Sequence, residues 1–127
     1  MGYQYGYEPQ DALVVLRGSG EVSMPERLEI VEKMLADRSL PATASVLIDV
    51  TEVDRSKETP DIEAITNLVR KLRSRFRGRI AIVNSAVGHA MVSYLVALAI
   101  DDSSVRAFVS QTEARPWLLG VEETARN

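Results

Sequence analysis

The sequence predicts a single α/β domain with a mixed, mainly parallel sheet and helices on its faces, in the order β-β-α-β-α-β-α-β-α. Three observations lead there. Ala12–Leu16, Val46–Val50 and Ile80–Val83 are short apolar runs of strand type. Between them lie longer segments whose apolar residues recur at three- and four-residue spacing. Capping and turn residues mark the joints between the two kinds of segment. Strands that alternate with helices imply right-handed crossovers within a parallel sheet.

Each element has its own signal. Tyr3, Tyr5 and Tyr7 alternate with Gln4 and Gly6, as in an edge strand with one covered face. Glu8-Pro9-Gln10-Asp11 is turn chemistry, so this strand and Ala12–Leu16 form an opening hairpin. Gly18-Ser19-Gly20 reads as a turn that breaks the chain. Ser23 and Glu26 have capping-box spacing, Pro25 falls in the first helical turn, and Leu28, Val31 and Leu35 form the stripe of the first helix. Val46–Val50 is nearly apolar throughout, like a strand covered on both faces.

Residues 51–58 read as a polar loop. Thr59 is an N-cap, Pro60 the first helical position and Asp61 an acid favoured by the helix dipole. Ile62, Ile65, Val69, Leu72 and Phe76 give the second helix its stripe, and Gly78 is a candidate C-cap. Ile80–Val83 is a further buried strand, followed by an apolar helix over 86–100. Arg106–Val109 is the last strand. Ser110 and Glu113 then cap a short helix bearing Trp117 and Leu118, closed by Gly120 and shortened or bent by Pro116. The domain is expected over residues 1–120, with a polar tail over 121–127.

Composition excludes several activities. Of 127 residues, 46% are hydrophobic and 26% charged, ordinary values for a globular domain. With no cysteine and one histidine, the chain holds no disulfide, no thiolate metal site and no cysteine nucleophile. We therefore expect no metal and no cofactor. A formal charge of −3 argues against a nucleic-acid partner. The amino terminus lacks the basic and apolar regions of a leader, and 86–100 is too short to span a bilayer. The expectation is a cytoplasmic protein.

Several strings resemble the SpoIIAA-like branch of the STAS superfamily (sulphate transporter and anti-sigma-factor antagonist domains). They are Leu13–Gly20 before the first helix, Val46–Val53 as the central strand, Ile80–Val83, and Phe108 through Trp117-Leu118. The resemblance implies the STAS fold over nearly the whole chain, and a binding or signalling role. Anti-sigma-factor antagonists carry an Asp-Ser-Ser-Gly motif after the central strand, whose first serine is phosphorylated. Ungapped counting from Asp49 places that motif on Lys57-Glu58-Thr59-Pro60. The acceptor position holds Glu58, so no phosphoswitch is expected there.

Function is expected at the carboxyl ends of the parallel strands, where ligands gather in open α/β sheets. The candidate residues are Ser19, Asp54, Ser56, Glu58, Thr59, Ser85 and His89, with helix N-termini at Thr59 and near Ser85 aiming backbone donors at that edge. A non-catalytic module binding a protein or a small anionic or hydrophobic ligand fits best. A lipid carrier would need a cavity reaching Met91 and Leu95. A hydrolase or transferase would need His89 in a deep pocket with Asp54 or Glu58, whereas His89 alone reads as a structural histidine. Asp49, Glu52, Asp54 and Glu58 could hold a cation, but their spacing fits a solvated loop better.

A second candidate is the basic run between positions 70 and 79. Arg70, Arg73 and Arg77 share one side of the second helix and could form an anion surface. The same arginines also complement the helix dipole near its C-terminus, which is the simpler reading. A homodimer through the apolar 86–100 helix is a further alternative.

Overall fold

The structure, a computed structural model, describes residues 2–54, 62–84 and 104–120. In chain order it contains β1 (Gly2–Glu8), a 3-10 turn (Pro9–Asp11), β2 (Leu13–Glu21), α1 (Met24–Ala36) and β3 (Ser45–Asp54). There follow α2 (Ile62–Arg75), β4 (Ile80–Val83), β5 (Val105–Phe108) and α3 (Gln111–Leu118). The five strands form one sheet in the order β1-β2-β3-β4-β5. β1 is antiparallel to β2, and every later pairing is parallel. This is the mixed, mainly parallel sheet the sequence predicts. The helix expected over 86–100 lies outside the described residues. Among the described residues, no helix is long and apolar enough to cross a membrane.

Strand alternation splits the core in two. Val14, Leu16, Val46, Ile48, Ile80, Ile82 and Val105 face α1 and α2, where Val31, Met34, Leu68, Leu72 and Phe76 meet them. Leu13, Val15, Leu47, Ala81, Val83 and Phe108 face the other way, under Ala114, Trp117 and Leu118 of α3. The sheet is thus covered on both sides, which is why its central strands carry almost no polar residues. The tyrosines of β1 extend the first core, with Tyr5 opposite Leu16 and Tyr7 opposite Val14.

The caps form as their spacing implies. Ser23 and Glu26 make a reciprocal capping box with Pro25 in the first turn. The Ser110 hydroxyl accepts from the Glu113 N–H at 3.4 Å, and Gly120 follows α3 at φ 73°. Pro116 lies inside α3 and offers no N–H to its ladder, yet the helix runs on to Leu118, where the Leu119 N–H still donates to the Arg115 carbonyl at 3.0 Å.

Several boundaries and faces differ from the sequence expectation. Gly18-Ser19-Gly20 is not a break: β2 runs through it to Glu21. A Cβ on Gly18 would lie 2.7 Å from the Tyr3 ring and 2.8 Å from a Val53 methyl, so glycine lets two side chains close over the strand. The polar loop begins later than residue 51, because β3 continues to Asp54. β5 starts at Val105 and ends at Phe108, one residue earlier at each end than expected. In α1, Leu28 is 42% exposed and Arg27 takes the inward position, its Nε donating to the Tyr3 hydroxyl at 2.9 Å. In α2 the buried stripe includes Leu68, while Ile65 is only half-buried. Gly78 is no left-handed cap. It sits against the start of β3, where its N–H donates to the Ala44 carbonyl at 3.1 Å.

Candidate functional site

The carboxyl edge of the sheet is built unevenly. β4 pairs with β3 only from Val46 to Asp49, yet the β2–β3 ladder continues to Glu21 opposite Asp54. Within that extension the register shifts: Arg17 faces Asp49, but Ser19 faces Glu52. β3 therefore holds one residue more than β2, a bulge. Its effect shows in the packing, since Val50 and Val53 both join the core beneath α1 and α2 although three positions separate them. Alternation then directs Glu52 and Asp54 to the other face. That is also the face of Arg17, Ser19 and Asp49. Without the extra residue, Glu52 and Asp49 would lie on opposite sides.

Asp49 anchors this face. One carboxylate oxygen accepts from the Thr51 hydroxyl at 2.7 Å and the Thr51 N–H at 3.0 Å. The other accepts from the Gln111 amide at 2.5 Å, which ties the end of β3 to the first turn of α3. Gln111 in turn accepts from Arg115 Nε at 3.2 Å, and Arg115 holds Glu8 through two guanidinium nitrogens at 3.0 and 3.3 Å. The chain of bonds runs from the carboxyl end of β3, along α3, to the end of β1.

Partial burial works against ionisation of Asp49. The bonds from Thr51 and Gln111, with the Arg17 charge beside it, outweigh that effect and hold its carboxyl below the ordinary carboxylate range. The bidentate Arg115 contact likewise lowers Glu8, against a smaller opposing effect of burial. A group whose folded pKa is depressed contributes stability above its unfolded value, and that stability is lost as pH falls through the lower folded value. Between pH 7 and pH 3, the urea midpoint of Asp49→Asn is therefore expected to fall less than that of the wild-type chain. Equal falls in both would show that Asp49 is not stabilised by this network.

The candidate residues divide as follows. Ser19 and Asp54 come together on neighbouring strands, two register positions apart, with Glu21 and Glu52 beside them. Ser56, Glu58, Thr59, Ser85 and His89 lie outside the described residues, as do the inherited phosphorylation position and Met91 and Leu95, where a lipid carrier would need its cavity. Asn84 also ends at this edge, buried to 3% exposure, its N–H donating to the Phe108 carbonyl at 3.0 Å. The sequence reading missed Gln111 and Arg115, whose partners lie far away along the chain. Among the described residues, no group of acidic or histidine side chains could hold a metal ion.

The basic run resolves into separate structural tasks. Arg75 donates to the carbonyls of Leu35, Asp37 and Leu40 at 3.3, 3.0 and 2.6 Å, joining α2 to the turn after α1. Arg73 donates to the Phe76 carbonyl at 2.8 Å, closing the end of its own helix. Arg79 donates to the Trp117 carbonyl at 2.6 Å and lies 5.1 Å over the indole ring. Lys71 pairs with Glu32 at 3.1 Å. Of the three arginines proposed as an anion surface, Arg70 and Arg77 are exposed, whereas Arg73 is engaged with backbone carbonyls.

Two open grooves lie away from the edge. One, of about 690 Å³, runs between β1 and α1 along Gln4, Tyr5, Ile30, Lys33, Ala36 and Asp37. The other, of about 530 Å³, separates α1 from α2 near Met24, Leu28 and Leu68.

No protein-family model and no curated protein matches this sequence. Among solved structures, an uncharacterised protein of the DUF3478 family with a SpoIIAA-like fold, from Shewanella loihica PV-4, matches it with a TM-score of 0.60. The identity is 20%, and the match covers 92% of this chain and 94% of that one. At that identity the likeness shows the fold alone. The chain has a SpoIIAA-like fold, as the resemblance of its strand sequences implies.

Proposed function

We propose that this SpoIIAA-like domain is a non-catalytic binding module, engaging a protein partner or a small ligand at the carboxyl edge of its sheet. The observation that carries the reading is the bulge in β3. It gathers Ser19, Glu52 and Asp54 on the face of Asp49, at the end of a strand ladder that outlasts its neighbours. Bulges that re-aim side chains are over-represented beside functional sites. Support also comes from Asp49 itself. Both its oxygens are committed to Thr51 and Gln111, so it braces the surface and is poorly placed to move protons.

The test compares three proteins immobilised from the same preparation: wild type, Glu52→Lys with Asp54→Lys, and Arg70→Glu with Arg77→Glu. Each is exposed to cell extract, and retained proteins and small molecules are identified by mass spectrometry. Binders lost only by the first variant, with its circular dichroism unchanged, are the expected result. Loss confined to the arginine variant would move the site to α2.

A further inference from the structure

A sheet edge presents a row of backbone donors and acceptors, and folded proteins protect such edges with charge, proline, bulges or brevity. Among the described residues, two edges of the sheet carry such devices. β5 is four residues long and places exposed Arg106 at its centre. The extension of β3 is bulged and carries Glu52 and Asp54. β1 shows none of these devices. It is seven residues long, contains no proline, bears no charge from Gly2 to Tyr7, and pairs with β2 without a register shift. Its outer side meets no other strand among the described residues.

We propose that β1 pairs with β1 of a second copy of this chain, antiparallel and centred on Tyr5, joining two sheets into one. The strand is self-complementary in that register. Tyr5 faces Tyr5 of the second copy, Tyr3 faces Tyr7, Gln4 faces Gly6 and Gly2 faces Glu8. Three aromatic cross-strand pairs form on one face, the kind of pair that stabilises antiparallel ladders. The single charge of the strand, Glu8, meets a glycine and so never opposes its own copy. Glu8 is also neutralised within its own chain by Arg115. The groove beside β1 is rimmed by one cation and one anion, Lys33 and Asp37, so a two-fold copy meets no field of a single sign there.

Light scattering on size-separated protein tests the pairing and its register together. The wild-type chain is expected at twice its 14.0 kDa mass. Gln4 is exposed, and a Cβ on Gly6 meets nothing within 4 Å, so both positions accept substitution. Gln4→Lys with Gly6→Lys sets cation against cation at both 4/6 crossings and is expected to halve the mass. Gln4→Lys with Gly6→Glu sets cation against anion at the same crossings and is expected to restore the dimer. A monomeric wild type at every concentration, or a dimeric double-lysine variant, overturns the pairing. Two monomeric variants with unchanged circular dichroism overturn the Tyr5-centred register.

Discussion

Phe76→Ala is expected to lower the free energy of unfolding by about 3–5 kcal/mol, the usual cost of emptying a buried aromatic site. Phe76 is fully buried just beyond the last turn of α2, its N–H bonded to the Leu72 carbonyl at 2.9 Å. The Arg75 guanidinium lies 4.7 Å over its ring while donating to the carbonyls of Leu35, Asp37 and Leu40 at and after the end of α1. A cavity here would remove the ring against which that cation rests, and the segments around it are too constrained to collapse. Domains of this size are stable by only about 5–15 kcal/mol. Urea unfolding followed by circular dichroism measures the loss, and a change below about 1 kcal/mol would contradict the packing described. Phe76→Leu keeps most of the volume and should lose less.

Gly78→Ala is expected to destabilise by at least about 1–3 kcal/mol, the range for overpacking, and Gly78→Val by more. A Cβ there would stand 2.5 Å from the Ser45 hydroxyl and 2.6 Å from the Ala44 carbonyl oxygen. Neither neighbour can give way freely. Ala44 accepts from the Gly78 N–H, and Ser45 Oγ accepts from the Arg79 N–H at 3.0 Å. Gly18 is a useful contrast, because its obstacles are the tips of Tyr3 and Val53, which can rotate. Thermal melts of Gly18→Ala and Gly78→Ala should rank the second as the less stable. The reverse order would show that the α2–β4 connection, packed against the start of β3, adjusts more easily than a pair of side chains.

That contrast also explains what the sequence could and could not convey. The strands were legible because apolar runs of only four or five residues, rich in β-branched side chains and bounded by turn signals, suit a strand covered on both faces, as with Val46–Val50 and Ile80–Val83. The caps at Ser23 and Ser110 were legible because their partners lie three residues away. Gly18 and Gly78 were misread as a turn and a cap, since the reason for each glycine is a neighbour distant along the chain. The same holds for the face of α1. Arg27 looks polar in a list of residues, but the Tyr3 hydroxyl gives its guanidinium an inward partner and leaves Leu28 outside. The basic run suggested a surface because its acceptors are backbone carbonyls, which every sequence contains and none displays. The edge rule for parallel sheets points to Ser19 and Asp54 as candidates, and the structure puts both near the carboxyl end of the β2–β3 ladder. The bulge that aligns Glu52 and Asp54 with Asp49 has no sequence signature of its own.

The clamp between Glu8 and Arg115 has a consequence for the order of events during synthesis. These residues lie 107 positions apart, so the contact closes a loop almost as long as the chain. Closing so long a loop is entropically costly, and chains rich in such distant pairings fold slowly. On a ribosome β1 is made well before the helix that clamps its end, whose Arg115 follows Glu8 by 107 positions. β1 and β2 can pair as a hairpin at once, whereas Leu13 and Val15 meet Trp117 and Leu118 only after those residues have been made. Until then Leu13 and Val15 lack the cover of α3 while the tyrosine-bearing edge of the hairpin is already formed, a combination that favours capture by a chaperone or by a neighbouring chain.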